Sequence, residues 1–92
     1  MYIIVIGVNH KTAPVEVREK LSFSEQSMPE SLAGLCSYPG IDGAVILSTC
    51  NRTEIYAVIE NTEVGINNLL EYLSLKSGVK TDIIRNYLYI HL

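Results

Sequence analysis

Residues 43–60 read GAVILSTCNRTEIYAVIE, two apolar runs separated by a short polar stretch. The first run, Gly43–Ser48, is typical of a buried strand, and the second, Thr53–Glu60, alternates in the manner of a strand. Alternation places three apolar residues of the second run on one face: Ile55, Ala57 and Ile59. The intervening segment Thr49–Arg52 is short. A connection of this length can join only antiparallel strands, through a tight turn. The segment therefore predicts a β-hairpin with a cysteine, Cys50, at its tip.

The chain before this hairpin predicts one strand and one main helix. Tyr2–Val8 is apolar and β-rich, which indicates a buried central strand. Ser22 and Glu25 have the spacing of a capping box, so a helix starting there is one possibility. Pro29 fits only in a first turn, which favours a helix from Met28 to about Ser37 instead.

The chain after the hairpin predicts a second helix and a last strand. Asn61 and Thr62 are suited to cap the helix, and Gly78 is suited to end it. Its apolar positions follow helical spacing: Ile66, Leu69, Leu70 and Leu73. Tyr87–His91 reads as the final strand.

Two shorter segments, Val15–Leu21 and Thr81–Asn86, predict single helical turns. The main elements then follow the order βαββαβ, which predicts a ferredoxin-like α+β fold. We expect residues 1–92 to form one domain, with a four-stranded antiparallel sheet and two helices on one face. The chain stops directly after its last strand, which favours a portion of a larger protein.

The composition excludes several classes of protein. Seven basic residues are scattered along the 92-residue chain and the net charge is −3, so the electrostatic footprint of a stand-alone nucleic-acid binder is missing. No stretch approaches the ~20 apolar residues that span a bilayer.

No secretion leader is evident, which favours a cytoplasmic location and reduced cysteines. The spacing of Cys36 and Cys50 does not suggest zinc, although sequence alone leaves a disulfide between them open.

The predicted topology gathers polar residues at one edge of the sheet. Because strands one and two run parallel with strand three returning between them, the end of strand one lies beside the hairpin tip. His10 and Lys11 should therefore lie near Thr49–Arg52. A guanidinium beside Cys50 favours the reactive thiolate, whereas Cys36, on a helix, is expected to be a small buried hydrophobe.

The other polar residues admit two interpretations each. Arg52 is either a surface charge or a bidentate clamp for a substrate carboxylate. His10 is either a hydrogen-bonding residue of the loop or a substrate contact. For Glu54 we favour a structural role, paired with Lys11 or Arg52. His91 is expected to be structural or solvent-facing, because the last strand carries it away from the hairpin tip.

Two segments resemble a known family. GVNHKTAPVEVREKLSF, from Gly7 to Phe23, is similar to the opening signature of the glutamyl-tRNA reductases, and STCNRTEIYAV, from Ser48 to Val58, is similar to their active-site segment. The resemblance implies that Cys50 is a nucleophile that takes glutamate from tRNA as a thioester. It implies reduction by NADPH to glutamate-1-semialdehyde, an early step of tetrapyrrole (porphyrin) biosynthesis. Thr49, Asn51 and Arg52 then belong to the substrate-binding segment.

The resemblance also implies parts that lie outside these residues. The family's NADPH-binding domain, its helical dimerisation region and a further important histidine would follow Leu92, so this chain alone should lack reductase activity. The implied partners are glutamyl-tRNA and a second subunit of a homodimer; no metal is implied.

Two other functions remain open from the residues. A ferredoxin-like binding or regulatory module would need no chemistry at Cys50. A small cysteine hydrolase would need a histidine base, and only His10 is placed to act as one.

Overall fold

The computed structural model describes residues 1–92 as four strands and four helices. The strands are β1 (Tyr2–Asn9), β2 (Ile41–Ser48), β3 (Arg52–Ile59) and β4 (Tyr89–His91). The helices are α1 (Val15–Leu21), α2 (Met28–Cys36), α3 (Thr62–Ser77) and α4 (Thr81–Arg85). The sheet has the order β2-β3-β1-β4, and each neighbouring pair is antiparallel. The predicted ferredoxin-like sheet is confirmed, with α1 and α4 as short additions to the two main helices.

The central pair of strands determines the geometry of the sheet. β1 and β3 pair without a break from Tyr2 opposite Ile59 to Asn9 opposite Arg52. β2 pairs with the other edge of β3, so β1 and β2 run parallel with β3 returning between them, as the sequence predicts. β4 pairs with only three residues of β1.

One face of the sheet carries the hydrophobic core. The predicted face of β3 is confirmed, with Ile55, Ala57 and Ile59 each at most 1% exposed. The helices cover this face with leucine and isoleucine side chains: Leu21, Leu35, Leu69, Leu70, Leu73 and Ile84. The opposite face is open, and apolar residues such as Ile3 and Val45 are more than 60% exposed there. Burial on one face and exposure on the other fix the register of the strands.

Local sequence explains where the helices begin and end. The side chain of Asn61 caps α3, its Oδ1 accepting a hydrogen bond of 3.0 Å from the Val64 amide. Gly78 ends α3 with a φ of 74°, which glycine adopts without a steric penalty. Of the two helix starts that the sequence allows, Ser22 is not used, because its hydroxyl donates to the Glu19 carbonyl and closes α1 instead. α2 begins at Met28, with Pro29 in its first turn.

Two further expectations are corrected. The last strand begins at Tyr89 rather than Tyr87, because the amides of Tyr87 and Leu88 donate to the Ile84 carbonyl and extend the turn of α4. Cys36 is exposed rather than buried, because α2 turns Leu35 into the core and leaves the next side chain outside. Both cysteines are free thiols.

None of the helices is long and apolar enough to cross a membrane.

Gly65 allows α3 to approach β3 closely, which leads to a prediction about stability. A Cβ atom at Gly65 would lie 2.8 Å from three side-chain atoms of the buried Ile59. We expect Gly65→Ala to lower the free energy of unfolding by about 1–3 kcal/mol, because a packed, branched side chain would have to shift. Urea denaturation measures the change.

Gly34→Ala in α2 is the matched control. Its added methyl would meet only Tyr72, at 3.8 Å, which is ordinary contact. Since alanine is the better helix former, we expect this substitution to raise the free energy of unfolding by about 0.5–1 kcal/mol. Equal effects of the two substitutions would contradict the steric explanation.

Candidate active site

The β2–β3 hairpin presents the thiol of Cys50 to solvent. The turn is closed by the Thr49 amide, which donates to the Arg52 carbonyl at 2.8 Å. The Thr49 hydroxyl oxygen also accepts hydrogen bonds from the amides of Asn51 and Arg52, at 3.3 and 3.2 Å. Thr49 thus holds the turn by its side chain, and Cys50 and Asn51 are left exposed between the two strands. The predicted exposed thiol at a hairpin tip is confirmed.

The loop between β1 and α1 is fixed by Asn9. Its side-chain oxygen accepts hydrogen bonds from the amides of Lys11 and Thr12, at 2.8 and 3.1 Å. Its own amide donates to the Thr12 hydroxyl at 3.0 Å. This Asx-type turn leaves Lys11 and His10 exposed at the tip of the loop.

The two loops lie at the same edge of the sheet, as the sequence predicts. Asn9 and Arg52 are the last paired residues of β1 and β3, so the loops leave the sheet side by side. Beside them is an open groove of about 390 Å³. It is lined by residues of the β1–α1 loop, by the strand ends and by side chains of the open sheet face: Asn9, Lys11, Thr12, Arg52, Glu54, Tyr89 and His91. Arg52 therefore connects the thiol-bearing hairpin with this groove.

A buried carboxylate forms the floor of the groove. Glu54 is only 7% exposed, and its oxygens accept hydrogen bonds from the hydroxyls of Tyr56 at 2.9 Å and Tyr89 at 2.5 Å. The guanidinium of Arg52 lies 3.8 Å from the same carboxylate. The expected pairing of Glu54 with Arg52 is confirmed, and the alternative pairing with Lys11 is not formed. The two tyrosine partners were not foreseen: Tyr56 lies two residues away on the same face of β3, a signal that strand alternation offers, whereas only the register places Tyr89 beside Glu54.

A glycine makes room for this carboxylate. Gly7 of β1 lies directly opposite Glu54 in the sheet, with Tyr89 on its other side. A Cβ atom at Gly7 would lie 2.9 Å from the Glu54 Cγ and 2.5 Å from the Thr53 carbonyl oxygen. The missing side chain lets Glu54 reach across β1 to Tyr89 on β4.

The environment shifts the acidity of these groups. The hydrogen bond from Tyr89 is the main cause that lowers the pKa of Glu54; burial opposes it, and Tyr56 and Arg52 add to it. Burial and the hydrogen bond to Glu54 raise the pKa of Tyr89 to about 12. Glu54 is thus an anion and Tyr89 a neutral donor at physiological pH.

The two histidines differ from each other in position. His10 is exposed and its side chain forms no hydrogen bond, so the proposed role as a hydrogen-bonding loop residue is not observed. His91 is exposed, as expected, but it lies on the open sheet face and contributes to the groove. The expectation that β4 carries it away from the site is therefore only partly right. Neither histidine is hydrogen-bonded to Cys50, which leaves a cysteine hydrolase without a base.

No cluster of histidine, cysteine and carboxylate side chains is arranged to bind a metal ion.

The hydrogen bond from Tyr89 to Glu54 predicts an acid-dependent change in stability. A carboxylate with a lowered pKa stabilises the fold above its unfolded value of 4.5, and this stabilisation is lost as the pH falls through the folded value. We expect Tyr89→Phe to make the free energy of unfolding less dependent on pH below about pH 5, where Glu54 takes up its proton. Denaturation at several pH values measures the slope.

Tyr87→Phe is the control, because the Tyr87 side chain forms no hydrogen bond to a carboxylate. The free energy of unfolding of Tyr87→Phe should depend on pH as strongly as that of the unaltered chain. Identical slopes for all three proteins would contradict the assigned interaction.

Comparison with known proteins places the chain in a family. The sequence model described as "Glutamyl-tRNAGlu reductase, N-terminal domain" matches residues 6–92. Proteins named glutamyl-tRNA reductase are similar to the chain: that of Pelotomaculum thermopropionicum is 56% identical over 99% of this chain, and that of Carboxydothermus hydrogenoformans 52% over 97%. In both cases the chain spans about a fifth of the relative's length.

A solved structure agrees with these matches. Glutamyl-tRNA reductase from Methanopyrus kandleri superposes with a TM-score of 0.58 and is 26% identical, over 96% of this chain and 18% of that protein. The match of the family's sequence model to almost the whole chain is decisive. The chain belongs to the family of glutamyl-tRNA reductase N-terminal domains.

Proposed function

We propose that this chain is the catalytic domain of an NADPH-dependent glutamyl-tRNA reductase, with Cys50 as the nucleophile. The observation that supports the proposal most is the exposed Cys50 thiol at the tip of a hydrogen-bonded hairpin, two residues before the half-exposed cation Arg52. An activated ester on a large substrate can reach such a thiol without any opening of the fold. The similarity to proteins named glutamyl-tRNA reductase indicates which ester it is.

The proposed first step is acyl transfer. The Cys50 thiolate attacks the carbonyl carbon of the glutamyl ester, and the C–O bond to the terminal ribose of the tRNA breaks. The ribose oxygen takes up a proton as it leaves, and glutamate remains bound as a thioester. A thioester suits the reaction because thiolate is both a strong nucleophile and a good leaving group.

NADPH would supply the hydride that converts the thioester to glutamate-1-semialdehyde, but these residues do not fit it. A dinucleotide site needs a glycine-rich turn between a strand and a helix. β1 ends in GVN and is followed by the loop HKTA, so the one glycine lies inside the strand and none lies in the turn. We therefore propose that the cofactor is held elsewhere in the longer protein, and we assign it no contact here. For that protein we further propose a cytoplasmic homodimer that serves tetrapyrrole biosynthesis.

Arg52 is proposed to bind the side-chain carboxylate of the glutamyl group. Its side chain is 46% exposed, and Glu54 approaches the guanidinium only to 3.8 Å. Most of its donors therefore remain free for a bidentate contact with a ligand in the groove. Thr49 contributes by shaping the turn, since the Arg52 amide donates to its hydroxyl. Asn51 and His10 are exposed and precede the groove residues Arg52 and Lys11 in the chain, and both are proposed to contact the substrate.

A binding module without catalysis is the weaker alternative. The open sheet face would suit such a role, because Val45, Leu47 and Ile3 are exposed on it. Thiol chemistry distinguishes the two functions, since a binding module does not need Cys50.

The role of the thiol is tested by Cys50→Ser in the full-length protein. We expect NADPH-dependent reduction of glutamyl-tRNA to fall by at least about a thousandfold, because the hydroxyl is a far weaker nucleophile. The rate of semialdehyde formation measures it. Cys36→Ser is the control and should retain full activity, because Cys36 lies at the end of α2, remote from the hairpin in the sequence. An active Cys50→Ser enzyme would refute the proposed function.

The role of Arg52 is tested by Arg52→Lys in the same protein. A single ammonium group cannot form the planar fork of a guanidinium, so we expect the Michaelis constant for glutamyl-tRNA to rise about tenfold. Arg85→Lys, at an exposed position of α4, should leave the Michaelis constant unchanged. Equal Michaelis constants for the two variants would exclude the clamp.

A further inference from the structure

One side chain joins the two loops of the candidate site. Arg18, in α1, is partly buried and extends toward the edge of the sheet. Its Nε donates to the Ala13 carbonyl at 3.2 Å, and its Nη1 donates to the Cys50 carbonyl at 3.1 Å. The guanidinium thus spans the β1–α1 loop and the hairpin tip.

No other hydrogen bond connects these two loops beyond the end of the sheet. The paired strands end at Asn9 and Arg52, and the remaining bonds of each loop stay within that loop. The Ser48 hydroxyl, which accepts from the Phe23 amide at 3.0 Å, secures only the base of the hairpin. At the tip, Thr49 binds the amide of the Cys50–Asn51 peptide, and Arg18 binds its carbonyl and ties it to the β1–α1 loop.

The geometry suits a guanidinium and no other side chain. Nε and Nη1 belong to one rigid plane, so the two bonds fix the distance and the angle between the two carbonyls at once. Lysine has a single nitrogen at the end of a flexible chain and cannot hold both carbonyls in this way. Ala13 is itself buried, so the guanidinium is anchored on a fixed part of the fold.

We propose that Arg18 is a positioning residue, which holds the backbone of Cys50 so that its thiol meets the ester carbon in the attacking orientation. The inference rests on the proposed function of Cys50. Catalysis is sensitive to such placement, because a displacement of about 1 Å can lower a rate about a hundredfold. Arg18 itself need not touch the substrate.

The test is Arg18→Gln in the full-length protein, followed by single-turnover formation of the thioester. We expect the rate to fall about tenfold to a hundredfold, while the Michaelis constant for glutamyl-tRNA changes less than about twofold. Arg18→Lys should be slowed as well, because it retains the charge but not the bridge. The control is Arg85→Gln, since Arg85 is exposed and forms no side-chain hydrogen bond or ion pair; it should react at the normal rate.

A second measurement does not depend on activity. Hydrogen exchange of the Asn51 and Arg52 amides, which the turn protects, should become faster in the Arg18 variants while the amides of β1 and β3 keep their protection. If Arg18→Gln is unfolded, Arg18→Lys provides both readouts.

The outcomes separate this inference from the proposed function. A normal rate of thioester formation in a folded Arg18→Lys or Arg18→Gln protein, or unaltered amide exchange at the hairpin tip, would overturn the role of Arg18 alone. If the rate falls only in proportion to the folded fraction, Arg18 contributes to stability alone. That result would also overturn its role as a positioning residue. An active Cys50→Ser enzyme would remove both proposals.

Discussion

The uninterrupted pairing of β1 with β3 is the constraint on which the site depends. Eight consecutive residue pairs fix the register, and the last of them sets Asn9 beside Arg52. If one strand shifted by one residue, its core-facing isoleucines would turn to solvent, so burial of one face enforces this register. The same register brings the thiol-bearing hairpin next to the β1–α1 loop. Hydrophobic burial on one face of the sheet thereby determines the arrangement of polar groups at its edge.

The open face of the sheet carries a polar network that the core does not require. Glu54 reaches across Gly7 to Tyr89, and its charge is compensated by two phenolic hydroxyls and by Arg52. An ionised carboxylate at 7% exposure is costly unless it is hydrogen-bonded in this way. Because Tyr89 lies on β4, the last strand is connected through Glu54 to Arg52, which follows the Cys50 turn. The orientation of Arg52 thus depends on residues from three strands.

Much of this arrangement follows from patterns in the sequence. Alternation in Thr53–Glu60 predicts which face of β3 is buried, because side chains of a strand alternate by geometry. The polar interruption at Thr49–Arg52 predicts the hairpin and its exposed thiol, since a short connection between two strands allows little else. Capping by Asn61 and Gly78 is equally local. Where two local signals competed, at Ser22 and Pro29, the sequence left the choice of helix start open.

The sequence by itself determined the order of the elements, the buried face of the sheet and the position of Cys50 at a turn, because each depends on neighbours along the chain. Only the tertiary structure decided the hydrogen bond from Tyr89 to Glu54, the exposure of Cys36 and the bridge from Arg18 to the Cys50 carbonyl. Tyr89 lies 35 residues from Glu54, and Arg18 lies 32 from Cys50. Contacts at such separations depend on strand order and on the packing of α1. No local periodicity encodes them.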